Sequence, residues 1–195
     1  MTGEGVYNPA TGERNFFRTT GAETNGRLLR FDWVLDPGGR VLDHSHPHQE
    51  ERFQIHEGHL LFVIEGRKQV CGPGGSVVVP PGARHRFVND RNDYARATIE
   101  LRPALRFQEL IESFAWLARE GRTSAAGAPS NPFELSLFAH EFWDEFRAAR
   151  PPRLVQRLLL PPSAWLARRR GYSTQIPIDA RAHGIDAELE LLYSH

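Results

Sequence analysis

Sulfur is scarce in this chain: one cysteine, Cys71, and one methionine among 195 residues. A lone thiol excludes an internal disulfide and any cysteine-rich zinc module. Charge imbalance is also missing. Lys+Arg is 24 and Asp+Glu is 24, a formal net charge of zero. A nucleic-acid-binding domain would show a basic excess or patch, so no nucleic acid is expected as a partner. No apolar run approaches the ~20 residues of a membrane span. The first twenty residues lack the basic-then-apolar order of a secretory leader. The cytoplasm is the expected compartment, and no membrane is expected as a partner.

What is present reads as a globular chain. The hydrophobic fraction is 40% and the charged fraction 25%, outside the range of disordered sequences. The length suits one domain, or one domain with a sizeable extension. Residues 1–26 are polar and turn-rich, with Asn8-Pro9 and Thr11-Gly12 as turn signals. They predict an arm with at most one short strand. Residues 27–103 predict strands. Leu29, Phe31, Trp33 and Leu35 alternate on one face, and about seven further short apolar segments follow, each bounded by Gly, Pro, Asn or Asp. Eight short strands at this spacing predict an antiparallel sandwich or barrel.

Residues 104–195 change period. Phe107, Leu110, Ile111, Phe114 and Ala118 recur at helical spacing. Asn131 followed by Pro132 predicts a helix start, and Leu135, Phe138, Ala139, Phe142 and Phe146 predict one apolar stripe. A further helical stretch, Arg153–Arg170, carries Pro161-Pro162, which predict a break. Ala187–Tyr193 reads equally as an edge strand or a short helix.

The histidines are the informative residues. His44 and His46 are two apart, so on a strand they point to one face. Glu50 and Glu51 follow a turn and offer a carboxylate. His85 follows the rigid Pro80-Pro81-Gly82 turn and completes a three-histidine, one-carboxylate set if its strand lies beside the first. Nitrogen and oxygen ligands without thiolate suit Fe, Mn, Ni, Cu or Zn better than Ca. Parity separates the glutamates, because adjacent strand residues face opposite sides. Glu51 keeps company with Phe53 and Ile55, Glu50 with Arg52 and Gln54. His48 falls inside the turn and is not expected to ligate. Cys71, beside a Gly-Pro-Gly-Gly turn, is not expected to be catalytic.

These spacings resemble the two motifs of the cupin superfamily. Gly38, His44, His46, Glu51 and Gly58 fill the first, G-x5-H-x-H-x4-E-x6-G. Gly74, Pro80, Gly82, His85 and Asn89 fill the second, G-x5-P-x-G-x2-H-x3-N. The resemblance covers about residues 27–101. It implies a mainly β jelly-roll barrel, here followed by a C-terminal helical extension packed on the barrel or on a dimer partner. It implies one divalent transition metal per chain, held by His44, His46, Glu51 and His85. The Asn-Pro-x-Thr-Gly-Glu start and the helical tail look like those of small bacterial single-domain cupins, which imply no settled activity.

The expected interior is apolar and aromatic, with Phe31, Trp33, Phe53, Ile55 and Phe87 as candidate substrate-pocket residues. Such a pocket suits an aromatic or enol-bearing molecule that chelates the metal through oxygen. Glu51 is the candidate proton acceptor, a role implied by flavonol-oxidising cupins. A dioxygenase-like oxidoreductase is the leading expectation. An oxidant-free isomerase, lyase or cyclase is the second, and a non-catalytic small-molecule binder the third. Jelly rolls leave open edge strands that need cover, and the tail is richer in apolar residues than one barrel wall requires. A homodimer is therefore expected.

Overall fold

The computed structural model describes residues 5–124 and 127–176. Eleven strands and three helices follow in chain order: β1 (Gly5–Asn8), β2 (Glu13–Thr19), β3 (Leu29–Leu35), β4 (Arg40–Ser45), β5 (Glu50–Glu57), β6 (Leu60–Ile64), β7 (Arg67–Cys71), β8 (Ser76–Val79), β9 (His85–Val88), β10 (Ala95–Arg102), α1 (Phe107–Arg119), α2 (Pro132–Glu141), β11 (Arg147–Ala148) and α3 (Arg153–Arg169). The eight strands β3 to β10 stand where the alternating segments predict them.

The strands form two antiparallel sheets. One has the order β1-β2-β3-β10-β5-β8 and the other β11-β4-β9-β6-β7. This is the expected jelly roll with a helical extension. Period-2 alternation builds each wall. In β10, Ala95, Ala97, Ile99 and Leu101 are buried while Arg102 is exposed and the residues between are partly so. Register aligns Ile99 with Phe31 on one side and Phe53 on the other. Inside, Trp33, Phe53, Phe62 and Phe87 meet mostly edge to face, with centroids 5.0 to 6.4 Å apart, the arrangement their quadrupoles favour.

Motif residues fix the corners. Gly58 has φ +70°, and a Cβ there would meet the Tyr94 carbonyl oxygen at 2.4 Å, so only glycine turns this corner. Asn89 is fully buried and donates to the carbonyls of Leu35, Asp36 and Asp93 at 3.1, 3.2 and 2.7 Å. It ties three backbone segments together.

Three features differ from the sequence reading. The N-terminal segment holds two strands, not at most one, and both join the six-stranded sheet beside β3. Two of the inward residues of β2 are polar, Glu13 and Asn15, which hides the alternation. Second, α3 runs unbroken through Pro161 and Pro162. Two prolines remove two helix hydrogen bonds, but the carbonyls they free belong to Arg157 and Leu158, both on exposed residues. Packing of Ala164 and Ala167 against Leu137 of α2 secures the helix beyond them. Third, α2 ends at Glu141, so Phe142 and Phe146 belong to the turns that follow it. The stretch Ala187–Tyr193 lies outside the described residues.

Candidate metal centre

His44 is the last residue but one of β4, His46 follows one residue beyond its end, Glu51 lies in β5 and His85 opens β9. Strand pairing sets His44 opposite His85. The turn before His85 is anchored to the first motif, because Gly82 N–H donates to the His46 carbonyl at 2.7 Å. One ligand atom from each of the four residues falls within 4.8 Å of the others, and all four residues are buried.

The imidazoles are oriented by carbonyl oxygens, which only accept. His44 Nδ1 donates to Leu42 at 2.7 Å, His46 Nδ1 to Glu145 at 2.7 Å and His85 Nδ1 to Ala83 at 3.1 Å. Each Nδ1 therefore carries a proton, and in the neutral ring each Nε2 presents a lone pair. His44 Nε2 and His46 Nε2 are 3.1 Å apart. Glu51 Oε2 lies 3.0 Å from His85 Nε2 and 3.5 Å from His46 Nε2. Those two buried atoms, Glu51 Oε2 and His85 Nε2, make no hydrogen bond with good geometry. Three lone pairs and a carboxylate oxygen converging in a buried space repel one another unless a cation lies between them. The donor set fits a divalent transition ion, as cupins hold.

The titration tendencies follow from the same crowding. Burial, then the neighbouring His85 and His46, hold His44 well below the ordinary imidazole range. Burial lowers His85, but the nearness of Glu51 outweighs it and its net shift is upward. Burial raises Glu51, and His46 and His85 together drive it the other way, to a value well below the usual carboxylate range.

Glu50 points away and pairs with Arg52. His48 is exposed and lies 3.4 Å from Asp144, outside the cluster. A cavity of about 230 Å³ opens on the cluster, with His44 and Glu51 in its wall. Phe31, Trp33 and Phe87 line it as well. Phe53 and Ile55 face inward too but lie in the packed core at 1% and 0% exposure, outside that lining.

The residues that sequence reasoning missed come from the two ends of the chain. From the N-terminal strands, Asn8, Glu13 and Asn15 join the wall. From the extension come Phe107, Phe114, Phe138, Phe142 and Phe146. Phe146 stacks on the His44 ring at 4.8 Å and 15°, and Phe107 meets His46 edge-on at 5.0 Å. The strand β11 pairs with β4, setting Ala148 opposite His44. The extension therefore covers the cavity at the histidine cluster and packs against the rings of His44 and His46. The aromatic stripe from Leu135 to Phe146 was the available signal, but it carried no direction.

Residues 31–99 match the cupin domain family. A Streptomyces cyaneus protein named polyketide synthase CurC is 31% identical over 70 residues, 36% of this chain and 46% of that protein. The Streptomyces halstedii protein SchB is 30% identical over 70 residues, 36% and 51% of the two chains. The chain thus spans about half the length of the curated relatives it matches. Among solved structures, an RmlC-like cupin from Shewanella frigidimarina is 19% identical with a TM-score of 0.47, covering 54% of this chain and 88% of that one. The polyketide cyclase RemF from Streptomyces resistomycificus is 21% identical with a TM-score of 0.45, covering 51% and 73%. Both motifs are complete, and the fold is an antiparallel jelly roll with its four motif residues gathered at one point; with the family match over that stretch, residues 31–99 are a cupin domain.

Proposed function

We propose that this cupin is a metal-dependent enzyme acting on a small aromatic or enol-bearing molecule that chelates the ion through oxygen, with dioxygen as co-substrate. The observation that carries the reading is the convergence of three Nε2 lone pairs and the Glu51 carboxylate at the wall of an aromatic cavity. His44, His46, Glu51 and His85 would hold the ion. A bound transition metal supplies Lewis acidity toward an enol oxygen and, if redox-active, an electron to dioxygen. Phe31, Trp33, Phe87 and the phenylalanines of the extension exclude water and hold the flat substrate. Glu51 faces the cavity and accepts the enol proton at a carboxylate oxygen. Oxygen uptake on adding flavonols, diketones or catechols to Fe- or Cu-loaded protein tests the reading, and loaded protein that consumes no oxygen with any of them refutes it.

An oxidant-free cyclisation of an enolisable carbonyl compound is the second reading. It is favoured by the 31% identity to a protein named as a polyketide synthase. Turnover under strict anaerobiosis separates it from the first.

Purified protein is expected to hold about one transition ion per chain, read by elemental analysis. Content near zero that added Fe, Mn, Ni, Cu or Zn cannot raise would contradict the assignment. Affinity is expected to fall with pH below ~6.5, where free imidazole takes up a proton. The sign follows from the tendencies above. His85, shifted upward, competes first as pH falls, and His44, shifted downward, last. Dialysis between pH 8 and pH 5 followed by metal analysis checks this, and retention that improves on acidification would contradict it.

A second copy of the chain is the partner we propose. Phe107 and Phe114 of α1 and Phe138 of α2 pack on the barrel core, yet α3 leaves Leu154, Leu158, Leu159 and Trp165 at 69%, 65%, 60% and 55% exposure, an outward apolar face that needs cover. Light scattering at micromolar concentration is expected to give a dimer mass, reduced to a monomer by Leu158→Glu. A monomer mass for the unaltered protein rules the pairing out. No helix among the described residues is long and apolar enough to cross a membrane.

A further inference from the structure

The strand β2 pairs with β3 so that Glu13 lies opposite Leu35, Asn15 opposite Trp33 and Phe17 opposite Phe31. Directly opposed residues of an antiparallel pair share a face. Leu35, Trp33 and Phe31 are buried core residues, so β2 turns Glu13, Asn15 and Phe17 inward. Two of these three positions are polar, whereas the inward positions of the adjacent β3 and β10 are Leu, Phe, Trp, Ala and Ile. Burying polar groups costs free energy unless they are paired.

Their pairing is incomplete. Asn15 is 3% exposed, lines the cavity and has no side-chain hydrogen bond among the described residues. Glu13 lines the same cavity. One of its oxygens accepts from Thr11 Oγ1 at 2.7 Å and the other from Trp33 Nε1 at 3.2 Å. No cation pairs with it among the described residues, whereas Asp36 nearby takes Arg14. Burial, partly opposed by the Thr11 and Trp33 bonds, raises the Glu13 pKa, and the charge of Glu51 adds to the rise. The surroundings thus resist charge at this spot.

We propose that Glu13 and Asn15 form a hydrogen-bonding subsite in the barrel wall that binds a neutral hydroxyl group, phenolic or alcoholic, of the molecule held in the cavity. Donor and acceptor inventory selects the hydroxyl. The Asn15 amide offers two N–H donors and one acceptor oxygen, and the Glu13 oxygens keep acceptor capacity beyond the two bonds they make. A hydroxyl both donates and accepts, so it can join the two residues at once. An anion would meet the Glu51 carboxylate and the lone pairs of Glu13, and an ammonium would lose its hydration in an aromatic enclosure. The ligand class this describes has two ends, a chelating oxygen pair at the histidines and a separate hydroxyl at β2. The inference rests on the reading of this cavity as a substrate site.

The test uses probes that need no metal. Toluene, p-cresol and benzylamine are titrated into the full-length protein by calorimetry, both metal-free and zinc-loaded. In the unaltered protein p-cresol should bind about tenfold more tightly than toluene, the worth of one or two well-made hydrogen bonds. In Asn15→Leu and Glu13→Met that advantage should shrink below about threefold, with toluene affinity little changed. A crystal structure of the unaltered protein with p-cresol guards against variants that fold poorly. Its hydroxyl oxygen should lie within about 3.2 Å of both side chains. Equal affinity for p-cresol and toluene, a hydroxyl placed elsewhere, or tighter binding of benzylamine each overturns the subsite. Protein that takes up no metal yet prefers p-cresol keeps the subsite and loses the catalytic reading. Metal-loaded protein with no such preference loses the subsite alone.

Discussion

Glu51→Gln is expected to weaken metal binding by tenfold or more, on the order of 1.4 kcal/mol, while Glu50→Gln and His48→Ala leave it nearly unchanged. The substitution keeps the shape of the side chain and removes its charge. Glu51 Oε2 faces the Nε2 atoms of His46 and His85 at 3.5 and 3.0 Å. A neutral amide there balances less of a divalent charge and can turn its NH2 toward the histidine lone pairs, where it competes with the ion as a donor. Glu50 is held outside by Arg52, and His48 pairs with Asp144 on the surface, so neither reaches the cluster. Isothermal titration with zinc, backed by elemental analysis, reads the difference. An emptied site in Glu50→Gln with an intact one in Glu51→Gln would mean that β5 is shifted by one residue, and Phe53 and Ile55 would then have to leave the core.

The four-residue cluster was legible because its information is local. His44 and His46 share a face through strand parity, Glu51 follows from the same rule five residues on, and the Pro80-Pro81-Gly82 turn announces His85. The eight central strands were legible for a like reason, since period-2 burial and turn residues mark them. What escaped was of two kinds. In β2 the alternation is masked by polar residues on the inward face. Glu13 and Asn15 face inward and Arg14 pairs with Asp36, so the segment reads as a polar arm. In the extension the decisive contacts are distant. His46 is oriented by the carbonyl of Glu145, 99 residues away in sequence. A backbone carbonyl has no residue identity, so no motif records it. The Pro161-Pro162 pair misled for a third reason. Proline's cost in a helix is local, about 3 kcal/mol, whereas the packing of α3 on α2 that offsets it is not.

Phe142→Ala is expected to cost about 3–5 kcal/mol of stability, a large share of the ~5–15 kcal/mol that holds a typical domain, and to weaken metal binding as well. The ring is 1% exposed, sits 5.8 Å from Phe138 and carries the Arg106 guanidinium 4.8 Å from its centroid. Its backbone is the hinge of the segment that follows. Phe142 N–H donates to the Phe138 carbonyl at 3.0 Å, and the Phe142 carbonyl accepts from Glu145 and Phe146 at 3.1 and 2.9 Å. Loosening Phe142 therefore loosens the carbonyl that orients His46 and the ring that stacks on His44, and losing such outer support commonly costs 10- to 100-fold in affinity. Leu137→Ala is the matched control. Leu137 is 2% exposed and packs with Ala164 and Ala167 between α2 and α3, away from the cavity lining. It should cost a comparable ~2–5 kcal/mol and leave metal affinity unchanged. Thermal melts of metal-free protein give the stability loss, and zinc titration well below the melting range gives the affinity. If Phe142→Ala binds zinc as tightly as Leu137→Ala, the extension only covers the barrel, and the His46–Glu145 and His44–Phe146 contacts do not tune the centre.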